Sequence, residues 1–451
     1  MSRATAAPST AGGASAPPVV ARSDPSSGRP AAAGGSTALP RSSAALGSAL
    51  EGTPGRMRLL AFLGAVVAAA VGLVGAMSLW SSAGALQRAD HNTAQVVRIQ
   101  GIYADLVRAD ADATNSFLVG GIEDADRRAD YDASIDRVTK GIAAAAEAQP
   151  ADNEALGQLN AKVQTYTSTV EQARVYNRQG LPVGATYLSN ASALLRSDLL
   201  PIVKALADAN KARADTEFDA ASRLVTLILV GLGGLAVLIL VMIWLARRTH
   251  RYLNPSLFIG TLVVLLALGV GIVTLAGVGS QVQAVRTTDF AFTVKLADVQ
   301  TAAYDAKSNE SLTLIARGSG ANYENAWKAQ SANILNLLGG GLDNKTQDRL
   351  QGKWNAYKAQ HEKIRAADDS GDWTGAVAQA LDTKPGSAND TFATFTADVA
   401  STLDQYRQDT QNSLLSPVTW VTIIGWGLLL MCVAAAILVL RGIGQRIEEY
   451  R

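Results

Sequence analysis

Four side chains able to recognise a charged ligand occur twice along this chain at one spacing. Lys162, Tyr166, Glu171 and Arg174 return 191 residues later as Lys353, Tyr357, Glu362 and Arg365. On a helix, Lys162 and Tyr166 are i, i+4 neighbours and Glu171 and Arg174 are i, i+3 neighbours, so each pair shares a face. One reading is a core-edge tyrosine beside a surface ion pair worth about a few tenths of a kcal/mol. The other is a docking face, or an anion site in which the Arg174 or Arg365 fork takes an amino-acid carboxylate. Arg108, beside the apolar stripe of an earlier helix, is a further candidate for that role. Asp110 and Asp112 do not read as a carboxylate pair, because i and i+2 point to different helix faces. Asp124, Asp126, Asp130 and Asp132, with Arg127 and Arg128 among them, read as a solvated face.

Other chemistry finds little support. The chain has no Walker loop, GxSxG, HExxH or CxxC pattern, and Gly339-Gly340-Gly341 falls at a predicted turn. Cys432 is the only cysteine, which excludes a disulfide scaffold. His91, His250 and His361 are far apart in sequence, which argues against a metal cluster. No catalytic residue, cofactor or metal is therefore expected, and the chain does not read as an enzyme.

The elements that must position these residues are membrane elements. Of the 451 residues, 48% are hydrophobic and 18% charged, against about 25% charged in an average soluble protein. Four stretches, 59–82, 224–246, 257–280 and 417–440, lack any ionisable side chain. At about 24 residues each they give roughly 35 Å of helix, enough to cross a bilayer. Arg56 and Arg58 precede the first span, Arg247, Arg248 and Arg251 fill the turn after the second, and Arg441, Arg446 and Arg451 follow the fourth. The positive-inside tendency puts all three clusters, and both termini, in the cytoplasm of a plasma membrane. Arg247, Arg248 and Arg251 then form a candidate docking surface for a cytoplasmic partner. Trp80, Trp244 and Trp420 sit near span ends, as interfacial anchors do.

The blocks between the spans carry net charges of −5 (84–222) and −3 (280–416), so nucleic acid is not an expected partner. With no ionisable residue inside the spans, a pump or secondary transporter is disfavoured. Small residues at Ala61/Ala65/Ala69, Ala68/Gly72/Ala76, Ala267/Gly271 and Gly269 permit close helix packing.

What lies between the spans reads as one unit written twice. Asp110-Ala111 and Ser116 recur as Asp305-Ala306 and Ser311 at an offset of 195; Leu159, Gly180 and Gly184 join the Lys-Tyr-Glu-Arg set at 191. Ile99, Ile102, Leu106 and Ala109 follow helical spacing, as do Leu156, Leu159, Val163, Tyr166 and Val170. Breaks near Gly120-Gly121, Pro150 and Gly180–Gly184, and near Gly318–Gly320, Gly339–Gly341 and Gly371–Gly375, divide each copy into four helices. An up-down-up-down bundle returns the chain beside its starting point, so its outer helices can continue the spans.

The expected fold is an all-α membrane protein with four transmembrane helices and two tandemly duplicated extracytoplasmic four-helix bundles. Its order is a disordered cytoplasmic tail (1–56), first span (57–83), first bundle (84–222), second span (223–246), cytoplasmic turn (247–256), third span (257–280), second bundle (281–416), fourth span (417–440) and cytoplasmic tail (441–451).

Bundles held between pairs of spans resemble the four-helix periplasmic sensor modules of methyl-accepting chemoreceptors and histidine kinases. The whole layout, with its Ala/Pro/Ser-rich start and no cytoplasmic catalytic domain, resembles the actinobacterial GlnX-type membrane proteins over about residues 57–451. That resemblance is one of architecture and composition and carries over no functional residue. It implies a relay of amino-acid availability from an extracytoplasmic solute-binding protein to a cytoplasmic Ser/Thr protein kinase. An envelope scaffold and a direct small-ligand sensor are the alternatives. Chemoreceptor-type bundles pair, which suggests a homodimer, although two bundles in one chain can form that pair internally.

Overall fold

The computed structural model describes residues 53–119, 123, 125–249 and 254–448. Most of the expected tail 1–56, together with Arg251, lies outside them. Among the described residues every regular element is helical. Helix α1 (Thr53–Phe117) is a 65-residue rod containing the first span and the first bundle helix. Helices α2 (Ala125–Ala148) and α3 (Asn153–Arg178) follow, with turns at Pro150 and at Gly180, whose φ is +68°. The fourth helix is α4 (Val183–Leu194), a π turn (Leu195–Leu199) and α5 (Leu200–Ala221). Pro201 accounts for the π turn. It offers no N–H to the carbonyl of Ser197 and its ring crowds that turn, and the Leu200 N–H bonds back to the Leu195 carbonyl instead. Helix α6 (Val225–Thr249) is the second span.

The second copy repeats the plan through α7 (Pro255–Thr287), α8 (Asp289–Ile315), α9 (Ala321–Leu338), α10 (Asn344–Asp369), α11 (Trp373–Leu381) and α12 (Ala388–Glu448). Side-chain caps fix three starts: Asn254 accepts from Leu257 N, Asp343 from Thr346 N and Asp372 from Gly375 N. The four-helix expectation needs one correction here. Where the first copy bends through its π turn, the second breaks open at 382–387, with Pro385 and Gly386 (φ +82°), so α11 is a separate short helix.

A second difference concerns independence. The two bundles are not two cores. One continuous apolar cluster runs from Ile99, Leu106, Leu159, Tyr166 and Val203 into Leu296, Val299, Trp354, Tyr357 and Phe395. Both copies pack on α1, which touches α8 and α12 as well as α2 and α5. The two bundles are thus paired within one chain.

Four helices are long and apolar enough to cross a membrane, making this a multi-pass membrane protein. Small residues set their packing. A Cβ on Gly72 would lie 2.3 Å from that of Cys432, and one on Gly234 would lie 2.3 Å from a Val71 methyl. Ala61, Ala65, Ala68 and Ala76 are buried, whereas Gly269 faces outward with open space beside it. Trp420 is exposed to the lipid side, but Trp80 instead packs on Trp426, with ring centroids 4.7 Å apart.

At the junction between bundle and span, two of the four helices are interrupted: residues 222–224 separate α5 from α6, and Thr288 separates α7 from α8. Helices α1 and α12 pass through without a break, although α12 carries Pro417, which removes one helical N–H donor there. The layer is pinned by Ser82 Oγ donating to the Ala221 carbonyl at 2.6 Å, by Arg88–Glu217 at 3.0 Å, and by Arg286 with Asp215 at 3.0 Å and Asp219 at 3.3 Å.

Candidate functional site

The centre of the helical domain beyond the spans is a polar node where the copies meet. Asp110 on α1 is 1% exposed. Its carboxylate accepts from Tyr166 Oη at 3.3 Å, Ser192 Oγ at 2.6 Å and, from the second copy, Ser308 Oγ at 2.6 Å. Arg196, on the π turn, lies 3.3 Å from Asp110 and donates to Asp305 at 2.8 and 3.0 Å. Gln330 Nε2 donates to the other Asp305 oxygen at 2.9 Å. Asp110 and Asp305 are repeats of one another, so one guanidinium joins the equivalent carboxylates of both copies. A buried charge cluster in which all four carboxylate oxygens have partners fixes the relative position of the elements carrying it.

The second copy has its own buried charge network. Glu310, 1% exposed, accepts from Lys307 Nζ at 2.7 Å and Tyr357 Oη at 3.1 Å, and lies 2.8 Å from His361 Nδ1. His361 Nε2 lies 3.2 Å from Glu324, and the imidazole stacks on Trp327 at 3.5 Å between centroids. Burial alone would raise the Glu310 carboxyl, but Lys307 and His361 outweigh it and bring it down to about 2. Burial likewise works against the imidazolium, yet the two glutamates hold His361 above its ordinary value. The outer members of this network, Glu324, His361 and Trp327, line a membrane-distal cavity of about 1230 Å³, which is also bordered by Arg317, Lys328, Lys358, Arg365 and Trp373.

The residues singled out from sequence divide between these places. Tyr166 and Tyr357 are fully buried, each handing its hydroxyl to a carboxylate on the first helix of its own bundle. Burial raises both phenols far above their ordinary value. Lys162 pairs with Asp198 at 2.6 Å and Lys353 with Asp398 at 2.7 Å, the same cross-helix tie in both copies.

The arginine forks are already occupied. Arg174, 8% exposed, lies 3.0 Å from Glu123, 2.7 Å from Glu171 and 4.1 Å from the Tyr131 ring. Arg365 pairs with Asp368 at 2.5 Å, with Glu324 at 3.5 Å and with Asp369. Neither fork is free for a ligand carboxylate. Glu362 is exposed and lies 3.9 Å from Lys358, outside any Arg365 pair. Arg108 sits 3.9 Å from Asp112 and 5.8 Å from the Tyr304 ring. Arg247 and Arg248 lie exposed at the end of α6.

Sequence reasoning passed over Arg196, Glu310 and Arg317, weighed His361 only as a metal ligand, and took Asp110 as a duplication marker after setting aside its pairing with Asp112. The repeat of Asp110-Ala111 as Asp305-Ala306 was the available signal. The arginine joining them has no repeat equivalent and left none.

The class defined by this architecture is an all-α, multi-pass membrane protein with a duplicated, internally paired helical domain outside the spans' apolar layer. The Actinobacterial sensor domain family matches residues 85–219, the first copy from just beyond the first span almost to the end of α5. Those residues thus resemble a signal-sensing module. No curated protein matches the chain, and no solved structure does.

Proposed function

We propose that the chain is a transmembrane signal relay. Its duplicated domain lies outside the cell and receives an amino-acid availability signal through a solute-binding protein. Its inner face, built from Arg247, Arg248 and the ends of α1 and α12, passes the change to a cytoplasmic Ser/Thr kinase. The sensor-domain match supports signal sensing; the two partners rest on the resemblance to GlnX-type proteins alone. The observation that carries the relay is α1 itself. It runs unbroken and free of proline from the junction to the Asp110 node, beside two helices interrupted at the junction and a third, α12, that carries Pro417 there. A shift in the node can move this rod against the two interrupted helices, a small displacement of packed helices.

Two measurements test this reading. On intact cells, with Cys432 replaced by Ala, an impermeant thiol reagent should label Glu147→Cys and spare Arg248→Cys; the reverse result inverts the topology and sinks the reading. Oxidative crosslinking of a Ser82→Cys/Ala221→Cys pair should differ between amino-acid-fed and starved cells. Identical crosslinking in both, with no kinase recovered by photo-crosslinking from position 248, counts decisively against a relay.

A further inference from the structure

We propose that the membrane-distal cavity of the second copy is a binding site for a small organic monocarboxylate, met by Arg317. This deepens the sensing reading by giving one copy a direct ligand.

The duplication supplies an internal control. In the first copy the corresponding cavity, among Ser116, Phe117, Glu123, Arg128 and Arg174, is about 220 Å³. Arg174 fills the space, laid on Tyr131 and paired to Glu123. Its repeat, Arg365, is drawn onto the wall by Glu324, Asp368 and Asp369. The second copy therefore keeps about 1230 Å³ open. A large concave site with aromatic walls and few converging polar groups is what ligand pockets look like.

Charge selects the ligand. Four acids border the cavity, and each has a cation within ion-pair distance. Glu324 is shared by Lys328, His361 and Arg365; Glu362 has Lys358; Asp368 and Asp369 have Arg365. Arg317 has no carboxylate partner among the described residues; its guanidinium instead lies 4.1 Å from the Trp373 ring centre. Arg317 is thus the one Lys or Arg lining the cavity that no carboxylate engages; it favours a single negative charge, and the four acids around it repel a dianion such as phosphate. Trp373 offers aromatic surface to an organic body, and the buried Trp327–His361 stack lines the same cavity.

The position of Arg317 is also built. It is the one non-glycine residue with positive φ (+41°) among the described residues, and Gly318 follows at +85°. A Cβ on Gly320 would lie 2.6 Å from the Thr313 carbonyl, so the turn closes tightly on α8. Trp373 Nε1 donates to the Leu314 carbonyl at 2.8 Å, fixing the ring beneath the guanidinium. An ordinary surface arginine needs no such backbone strain, which is costly and persists where the surroundings enforce it.

The test is calorimetry on the full chain in detergent, with benzoate, its neutral isostere benzamide, and inorganic phosphate as probes. Benzoate should bind at least tenfold more tightly than benzamide or phosphate. Arg317→Gln should weaken benzoate by about 10- to 100-fold, the loss of one charge-assisted contact, and leave benzamide unchanged. Arg317→Lys should recover part of the loss. Arg178→Gln, beside the smaller cavity, should change nothing. Arg317 is exposed, so unchanged thermal unfolding of the variant shows that folding is not the cause. The site is ruled out by benzoate binding that ignores Arg317→Gln, by preference for phosphate, or by no benzoate heat at about 10 mM. Calorimetry makes no use of the 82–221 crosslink, so the site and the relay can each fail alone.

Discussion

Arg196 and Asp305 lie 2.8 Å apart although they belong to different copies of the repeat, and the same guanidinium stands 3.3 Å from Asp110, the residue that Asp305 duplicates. The duplicated unit therefore holds itself together through one residue that was not duplicated. A π turn positions it, and such turns are common at functional sites. The node ties α1, which continues into the first span, to α8 and to the fourth helix of the first copy.

Replacing Arg196 by Met keeps much of the stem and removes the charge. Asp110 would then stay buried with three hydroxyl donors and no cation, and Asp305 would retain only Gln330. Leaving a buried charge under-compensated costs about 1–3 kcal/mol. Chemical denaturation in detergent should show that loss. A double-mutant cycle with Asp305→Asn should give a coupling above about 0.5 kcal/mol. Additive losses would mean that the two side chains meet without interacting.

The pH dependence of stability should carry two separable contributions. His361 is held above its ordinary 6.5 in the folded chain, where hydrogen bonds to Glu310 and Glu324 outweigh burial. Its stabilisation is complete below about pH 6.5 and is lost as pH rises through the folded value. Burial lifts Asp112 from 3.8 to about 7. A raised carboxyl costs stability progressively as pH climbs from about 4 to 7. Melting temperature should fall with rising pH in both windows. His361→Gln should flatten the upper window only. Asp112→Asn should flatten the lower one and raise stability at pH 8 by about 1 kcal/mol. A single slope abolished by either variant would refute this division.

Members of the repeated Lys-Tyr-Glu-Arg set should respond unequally to substitution. Arg174 is 8% exposed between Glu123 and Glu171, so Arg174→Gln should destabilise by about 1–3 kcal/mol. Glu362 has a side chain 66% exposed and touches only Lys358, at 3.9 Å; Glu362→Gln should stay within about 0.5 kcal/mol. Equal effects at both would mean that the exposed pair carries more than its geometry allows.

Helices and turns were legible because their signals are local. The i, i+3, i+7 stripe around Ile99 and Leu106, and the Gly and Pro clusters at Pro150, Gly180, Gly339 and Gly371, lie where the structure builds and ends helices. Tyr166 and Tyr357 were visible as repeated residues, yet their carboxylate partners, Asp110 and Glu310, are not repeat equivalents of each other and could not be paired by spacing. Arg174 and Arg365 looked alike in sequence. Only the fold shows that one fills its cavity while the other is drawn aside by Asp368 and Asp369. The fusion of two bundles into one core was illegible because it depends on which faces of α1 and α8 meet. Both are helices with apolar residues around much of their circumference, and periodicity alone does not choose among such faces.

Packing in the membrane offers the last prediction. Lipid tails are as apolar as the side chains they touch, so association of spans depends on close approach rather than on the hydrophobic effect. Gly72 faces Cys432, where a Cβ would come within 2.3 Å of the cysteine Cβ, so a larger residue must push α1 away from α12. Gly269 faces open space on α7 and meets nothing within 4 Å. Gly72→Val should therefore lower resistance to denaturing detergent by about 1–3 kcal/mol. Gly269→Val should change it by less than about 0.5 kcal/mol, in line with substitutions that meet no neighbour. Gly72→Val should also slow the 82–221 crosslink, because displacing α1 at the middle of the span moves the Ser82–Ala221 bond just above it. Should the two glycine variants behave alike, the small-residue stripe of the first span would reflect composition and not contact.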